Sequence, residues 1–218
     1  SKHKTIEALN KAWKTSFASW DALTEPAKGP WEFTDAQKQD LSAFVYSLSD
    51  RYHQVVKEEL RKADPDHLYL GCRFAWYGKE AVAAAVKHTD VISFNIYASK
   101  LDSAKWEWTK TLDRPVIIGE FHFGATDRGM FHPGLVDAVT QAGRAAMYMS
   151  YVTSVLNHPS FVGCHWFQYV DEPLTGRTLD GENYQIGMVD VSDTPYQGAV
   201  EAARQIHRQI YKLHSSAK

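Results

Sequence analysis

Four short, almost uninterrupted apolar runs, Leu68 to Phe74, Val91 to Tyr97, Val116 to Glu120 and Phe161 to Phe167, recur along this chain with helical stretches between them. A strand wet on one face alternates apolar and polar residues. A run without that alternation is read as buried on both faces, the usual state of a parallel sheet clothed in helices. The intervening stretches, Lys79 to Lys87, the region around Ser103 to Thr111 and the longer Leu135 to Leu156, carry helical spacing. Strand and helix in alternation predict an α/β fold built from parallel βα units.

The flanks extend that reading. A first helix is expected from Thr5 to Trp13, then turns at Glu25-Pro26 and Gly29-Pro30. Thr34 and Gln37 stand at capping-box spacing and open a long helix, with Leu41, Phe44, Val45, Leu48, Tyr52, Val55 and Val56 on one face. Asp64-Pro65-Asp66 ends it. After the fourth run comes a long loop, Gln168 to Thr194, and a closing helix with the stripe Tyr196, Val200, Ala203, Ile206, Ile210 and Leu213. No repeat or linker divides residues 1–218, so the chain reads as one unit. A (β/α)8 barrel takes about 250 residues and eight strands. Four strands after a leading helical region read as the second half of such a TIM-barrel-type fold.

Composition narrows the partners. A formal net charge of −2, with Lys and Arg scattered, offers no basic stripe for phosphate or anionic lipid, so neither nucleic acid nor membrane is an expected partner. No apolar run approaches the roughly 20 residues of a membrane helix, and Ser1-Lys2-His3-Lys4 does not begin a signal peptide. Cys72 and Cys164 both sit in apolar segments and read as two buried thiols. No ligand-spaced companions accompany them, and His122 and His132 are isolated, so neither metal nor cofactor is expected.

The run Pro115 to Glu120 ends in a carboxylate followed by a Gly-containing loop. In parallel barrels the active site lies at the C-terminal strand ends, so Glu120 points at substrate space and is the candidate catalytic residue. The alternative is that it only pairs with Arg73 or a strand-end amide. Arg73 ends the first run, Asn95 and Tyr97 the second, and His165, Trp166 and Gln168 the fourth, which predicts one shared pocket. Each rim residue can instead serve as a structural hydrogen-bond partner. Trp166 is a candidate platform for a sugar face or a core residue. His122 and Glu172, in the following loops, are candidates to bind hydroxyls, although Asp171-Glu172 can equally be a solvated turn.

The segments Thr5 to Trp13, His67 to Phe74, Asp90 to Tyr97, Pro115 to Phe121 and Gly163 to Gln168 resemble the later part of clan A glycoside hydrolases, and among these family 50, the β-agarases. The resemblance implies a retaining galactan hydrolase on a (β/α)8 barrel. The four strands would be its fifth to eighth, and Glu120 its seventh-strand nucleophile. Arg73 or Tyr97 would hold that carboxylate ionised. The clan's acid/base Glu follows an Asn at the end of the fourth strand, and no Asn-Glu pair occurs here. The chain is therefore expected to need a partner, either the N-terminal half of the barrel or a homodimer mate, and to be inactive alone. Polysaccharide is the expected substrate and a secreted or periplasmic location is implied. A β-galactosidase or β-mannanase of the same clan, or a non-catalytic carbohydrate-binding or assembly unit, are the alternatives.

Overall fold

The apolar runs assemble into one parallel sheet whose spatial order follows the chain: β1 (Arg73–Phe74), β2 (Ile92–Asn95), β3 (Val116–Phe121) and β4 (Phe161–Trp166). This computed structural model describes residues 2–25 and 32–216. Pro26, Gly29 and Pro30, where turns are expected, lie outside the described residues. The helices are α1 (Ile6–Trp13), α2 (Asp35–Ala63), α3 (Lys79–His88), α4 (Gln141–Leu156), α5 (Gln197–His207) and α6 (Ile210–Ser215). None of the described helices is long and apolar enough to cross a membrane.

Local chemistry sets several boundaries. Thr5 Oγ1 accepts from Ala8 N and starts α1, and the Thr34/Gln37 capping box forms in full and starts α2. The first run yields only two strand residues because Gly71 turns into the left-handed region at φ +66°, and its absent Cβ leaves room for Thr89. The stretch around Ser103 to Thr111 shrinks to a 3-10 helix, Glu107–Thr111, since Asp102 Oδ1 captures the Ala104 and Lys105 N–H groups. Val139 adopts φ +65° and Thr140 caps Gly143, so α4 begins six residues later than expected, at Gln141 rather than Leu135. The closing helix breaks at Arg208 and Gln209 into α5 and α6.

The expectation of strands buried on both faces is corrected. Phe94, Ile118, Phe121 and Phe161 pack with Val82 and Ala85 of α3, Tyr151, Val152 and Val155 of α4, and Ile206 of α5 in one continuous core. Phe121 lies flat on Tyr151, ring centroids 4.3 Å apart and planes within 7°. The other face carries Arg73, Ser93, Ile117, Glu120 and His165, of which Arg73 and His165 are exposed. The sheet thus has one dry face and one open face, with Arg73 and His165 in solvent on the open side.

The apolar face of α2 does not turn to the core. Phe44 is 63% and Leu48 60% exposed, and Leu41, Val45, Tyr52 and Val55 are exposed with them. The helix instead meets its neighbours one step round, through Ser42 to Glu80, Asp50 to Lys87 and His88, and buried His53 to Tyr69. Both cysteines are free; Cys72 lies by Tyr52 near the surface, short of the buried thiol expected, while Cys164 packs against the core. Burial still pushes the Cys164 thiol up to about 12.

The loop after β4 is tied down by a buried charge. Arg144 of α4, 1% exposed, donates from Nε to Phe123 O at 2.8 Å, from Nη2 to Gly187 O at 2.6 Å and from Nη1 to Gln141 Oε1 at 2.9 Å. Its guanidinium stands over the Tyr196 ring, and Tyr196 Oη donates to buried Asp171, which also accepts from Gly187 N at 2.6 Å. Replacing Arg144 by Met removes three donors and leaves the Asp171 charge buried without its counter-charge. Unfolding stability is expected to fall by about 3–5 kcal/mol, read from the urea midpoint at constant slope; an unchanged midpoint would show the knot is dispensable.

Candidate active site

The site is built on a slip in register. Phe94 pairs with Ile118, but the next residue of β2, Asn95, pairs with Glu120, so β3 carries one extra residue at Gly119. Gly119 and Glu120 therefore both face the open side, while Phe121 returns to the core. Only glycine fits the first of these places. A Cβ there would stand 2.5 Å from Ser93 Oγ and 2.8 Å from Arg73 Cγ, so its absence lets the Arg73 stem cross β3.

Two donors from two strands meet the carboxylate. Arg73 Nη1 reaches Glu120 Oε1 at 3.1 Å, and Tyr97 Oη donates to Oε2 at 2.7 Å. The Glu120 side chain is 16% exposed, against 56% for Arg73, so the acid is sheltered while its cation is largely wet. Burial first, and then the hydrogen bond to the carboxylate, push the Tyr97 phenol well above its ordinary range, so it stays a donor. Asn95 lies beside Glu120 in register, and its Oδ1 is buried without a hydrogen-bond partner among the described residues.

The other candidates separate. His165 is exposed on the open face of β4. Gln168 is half-buried and donates from Nε2 to Val170 O at 3.1 Å. Trp166 turns to the covered side, against Phe121, Phe123 and Tyr148, and donates from Nε1 to Ile186 O at 2.8 Å, so core packing accounts for it. Glu172 is fully buried: Oε2 accepts from Tyr184 N at 2.8 Å and Oε1 lies 3.4 Å from Arg177 Nη1. Burial raises its pKa. It is buried within the loop rather than part of a solvated turn.

His122 is likewise buried beneath the site. Nε2 accepts from Leu135 N at 2.8 Å and Nδ1 lies 3.1 Å from Phe167 O, so neither nitrogen is left for a substrate. Its ring centroid is 4.7 Å from that of Tyr97.

Sequence reasoning overlooked two neighbours, Phe167 and Glu182. Arg177 pairs with Glu172, Asp180 and Glu182 and stands over the Phe167 ring, and the Glu182 charge is felt at Tyr97. Phe167 had a usable signal, since strand alternation sends it opposite to Trp166. Glu182 had none, lying in a loop without periodicity. No group of three His, Cys, Asp or Glu side chains among the described residues is placed to hold a metal ion. The arrangement presents a sheltered carboxylate, fixed by donors on two sides, at the open C-terminal edge of a parallel sheet.

His122 gives the fold a pH dependence. Burial pushes its pKa down to about 4, so the folded state holds it neutral. An unfolded imidazole takes a proton near 6.5. Stability is thus full above about pH 6.5 and falls as pH drops towards 4, by up to roughly 3 kcal/mol for this group. His53 and His158, also lowered by burial, act in the same direction. Urea titrations at about pH 7 and about pH 4.5 measure the slope; equal stability at both would show that these imidazoles protonate freely in the folded protein.

Comparisons with known proteins place this geometry. β-Agarase B of Vibrio sp. (strain JT0107) is 44% identical over 216 residues, which cover 97% of this chain and 22% of that protein. A solved structure described as an exo-β-agarase superposes with a TM-score of 0.92 at 47% identity, covering 98% of this chain and 29% of its own. The agarase AgWH50C gives 0.89 at 47% identity, covering 98% and 30%. The chain thus spans less than a third of each of these relatives. Residues 1–162 match the family model for glycoside hydrolase family 42, described as β-galactosidase. With most of its length under that model, the chain belongs to this glycoside hydrolase family.

Proposed function

We propose that this chain carries the nucleophile half of a retaining glycosidase site that cleaves β-glycosidic bonds in a galactan such as agarose. The observation that carries the reading is Glu120: a sheltered carboxylate at a strand end, gripped by Arg73 and Tyr97 and facing the open side of the sheet. Glu120 attacks the anomeric carbon, the leaving oxygen departs with a proton, and water then hydrolyses the glycosyl ester. Both donors hold the attacking carboxylate in place from two sides. We assign Asn95, beside Glu120 in register, and His165, exposed on the open face, to contacts with sugar hydroxyls. Gln168 stands at the adjoining strand end.

Retention needs a second carboxyl about 5–5.5 Å from the first to serve as acid/base. We assign it to a strand outside this chain, in the N-terminal half of a (β/α)8 barrel whose fifth to eighth strands are β1 to β4. The open sheet face and the exposed stripe on α2 are the surfaces such a half would cover. Residues 1–218 then form the C-terminal half of the catalytic domain, and polysaccharide as substrate goes with an exported enzyme. The agarase relatives favour agarose, while the β-galactosidase description of the family model keeps a β-galactoside as the second substrate reading.

Hydrolysis of agarose, porphyran, mannan and aryl β-galactosides, with reducing ends measured for each, separates the substrates. In the full-length protein Glu120→Gln is expected to lose roughly 10⁴-fold in kcat, and retained turnover would remove Glu120 from its role. The 218-residue chain alone is expected to show almost no turnover, and strong hydrolysis by it would place the acid/base within these residues.

A further inference from the structure

His122 offers no nitrogen to a sugar, yet three separate parts of the rim meet on it. The loop between β3 and α4 reaches it through Leu135 N, which donates to Nε2 at 2.8 Å. The end of β4 reaches it through Phe167 O, 3.1 Å from Nδ1. The end of β2 reaches it through the Tyr97 ring, 4.7 Å away and tilted by 59°.

These contacts leave one protonation state. A backbone N–H can only donate, so Nε2 must keep its lone pair, and the proton of a neutral imidazole then sits on Nδ1 and is donated to Phe167 O. The close approach depends on Gly134, whose φ is +77° and whose Cβ, if present, would lie 2.6 Å from Nε2. Tyr184 closes a further side, its ring edge-on at 6.3 Å. The imidazole is therefore fixed in place, tilt and tautomer, with Tyr97 resting against it.

We propose that His122 is a positioning residue that acts on Glu120 through Tyr97, by holding the phenol ring where its hydroxyl points at Oε2. The functional part rests on the assignment of Glu120 made above; the positioning itself does not. A tyrosine turns about two torsions, and on a rim with one open side an unsupported ring is free to offer its hydroxyl to water instead. Seated against His122 the donor is preorganised, so it needs no reorientation while charge on Glu120 is consumed and restored. The other charged and titratable groups facing this assembly are Arg73 on β1, Arg144 and Tyr151 on α4, and Tyr184 and Glu182 on the loop after β4. Arg73 grips the other oxygen, and among the described contacts Tyr97 alone donates to Oε2.

The test uses His122→Phe, which keeps a ring and removes both hydrogen bonds. In the NMR spectrum of the chain, the Tyr97 hydroxyl proton, half-buried and bonded to a carboxylate, is expected as a slowly exchanging downfield resonance that Tyr97→Phe and Glu120→Gln both abolish. His122→Phe is expected to abolish or broaden it, and an unchanged resonance overturns the proposal. In the full-length protein, His122→Phe is expected to lower kcat by about tenfold to a hundredfold, with KM within about twofold. The same change in a Tyr97→Phe background is expected to cost less than about twofold more, since its route to Glu120 is already gone. An undiminished loss in that background shows that His122 acts elsewhere and overturns the proposal. If His122→Phe does not fold, the ring ¹⁵N shifts of the unaltered chain decide: a protonated Nδ1 with a bare Nε2 supports the proposal, and the reverse tautomer sinks it. Should Glu120→Gln keep its activity, the glycosidase assignment falls while the NMR arm still decides the positioning.

Discussion

The packing of Phe121 on Tyr151 is the contact on which the site's geometry depends. β3 has to place Glu120 on its open face and, one residue later, an aromatic ring in the core, and the extra residue at Gly119 is what allows the change of side. Without a ring anchored on α4 the slip could relax by one residue, and every side chain beyond it would swap faces. The carboxylate's position is thus set from behind, by hydrophobic packing on the covered side, before Arg73 or Tyr97 contributes anything.

The polar side of the molecule follows a complementary logic. Arg144 and Asp171 are buried charges, which are costly unless every donor and acceptor is used. Here they are used to fasten the loop after β4 to the N-terminal end of α4. Arg177 repeats the device closer to the site, gathering Glu172, Asp180 and Glu182 around one guanidinium. A long loop without regular structure is held by two cations, and Arg177, the more exposed of them, stands over Phe167.

Much of this was legible in the sequence, for identifiable reasons. Unbroken apolar runs predict parallel strands because covered sheets select them, and all four runs do contain strand. Strand-end position alone brought Glu120, Arg73, Asn95 and Tyr97 together, since parallel strands deliver their C-terminal residues to one rim. What the sequence could not convey was facing. The stripe from Leu41 to Val55 has a perfect helical period, but periodicity names a face without saying what lies against it. Trp166 and Phe167 are adjacent aromatics, and only the strand's alternation, shifted by bulges, decides which of them turns inward. His122 and Glu172 looked like polar groups free to bind, because burial of a polar residue in a loop depends on distant backbone partners, Leu135, Phe167 and Tyr184, that no local pattern announces.

The two histidines at this rim, His122 just after β3 and His165 within β4, differ in reactivity as a result. Electrophiles that modify imidazole attack an accessible nitrogen lone pair. At His122 the single lone pair is occupied by Leu135 N–H and the ring is sealed under Tyr97, whereas His165 stands in solvent on the bare face of the sheet. A histidine reagent applied to this chain therefore labels the wall of the cleft and spares the floor.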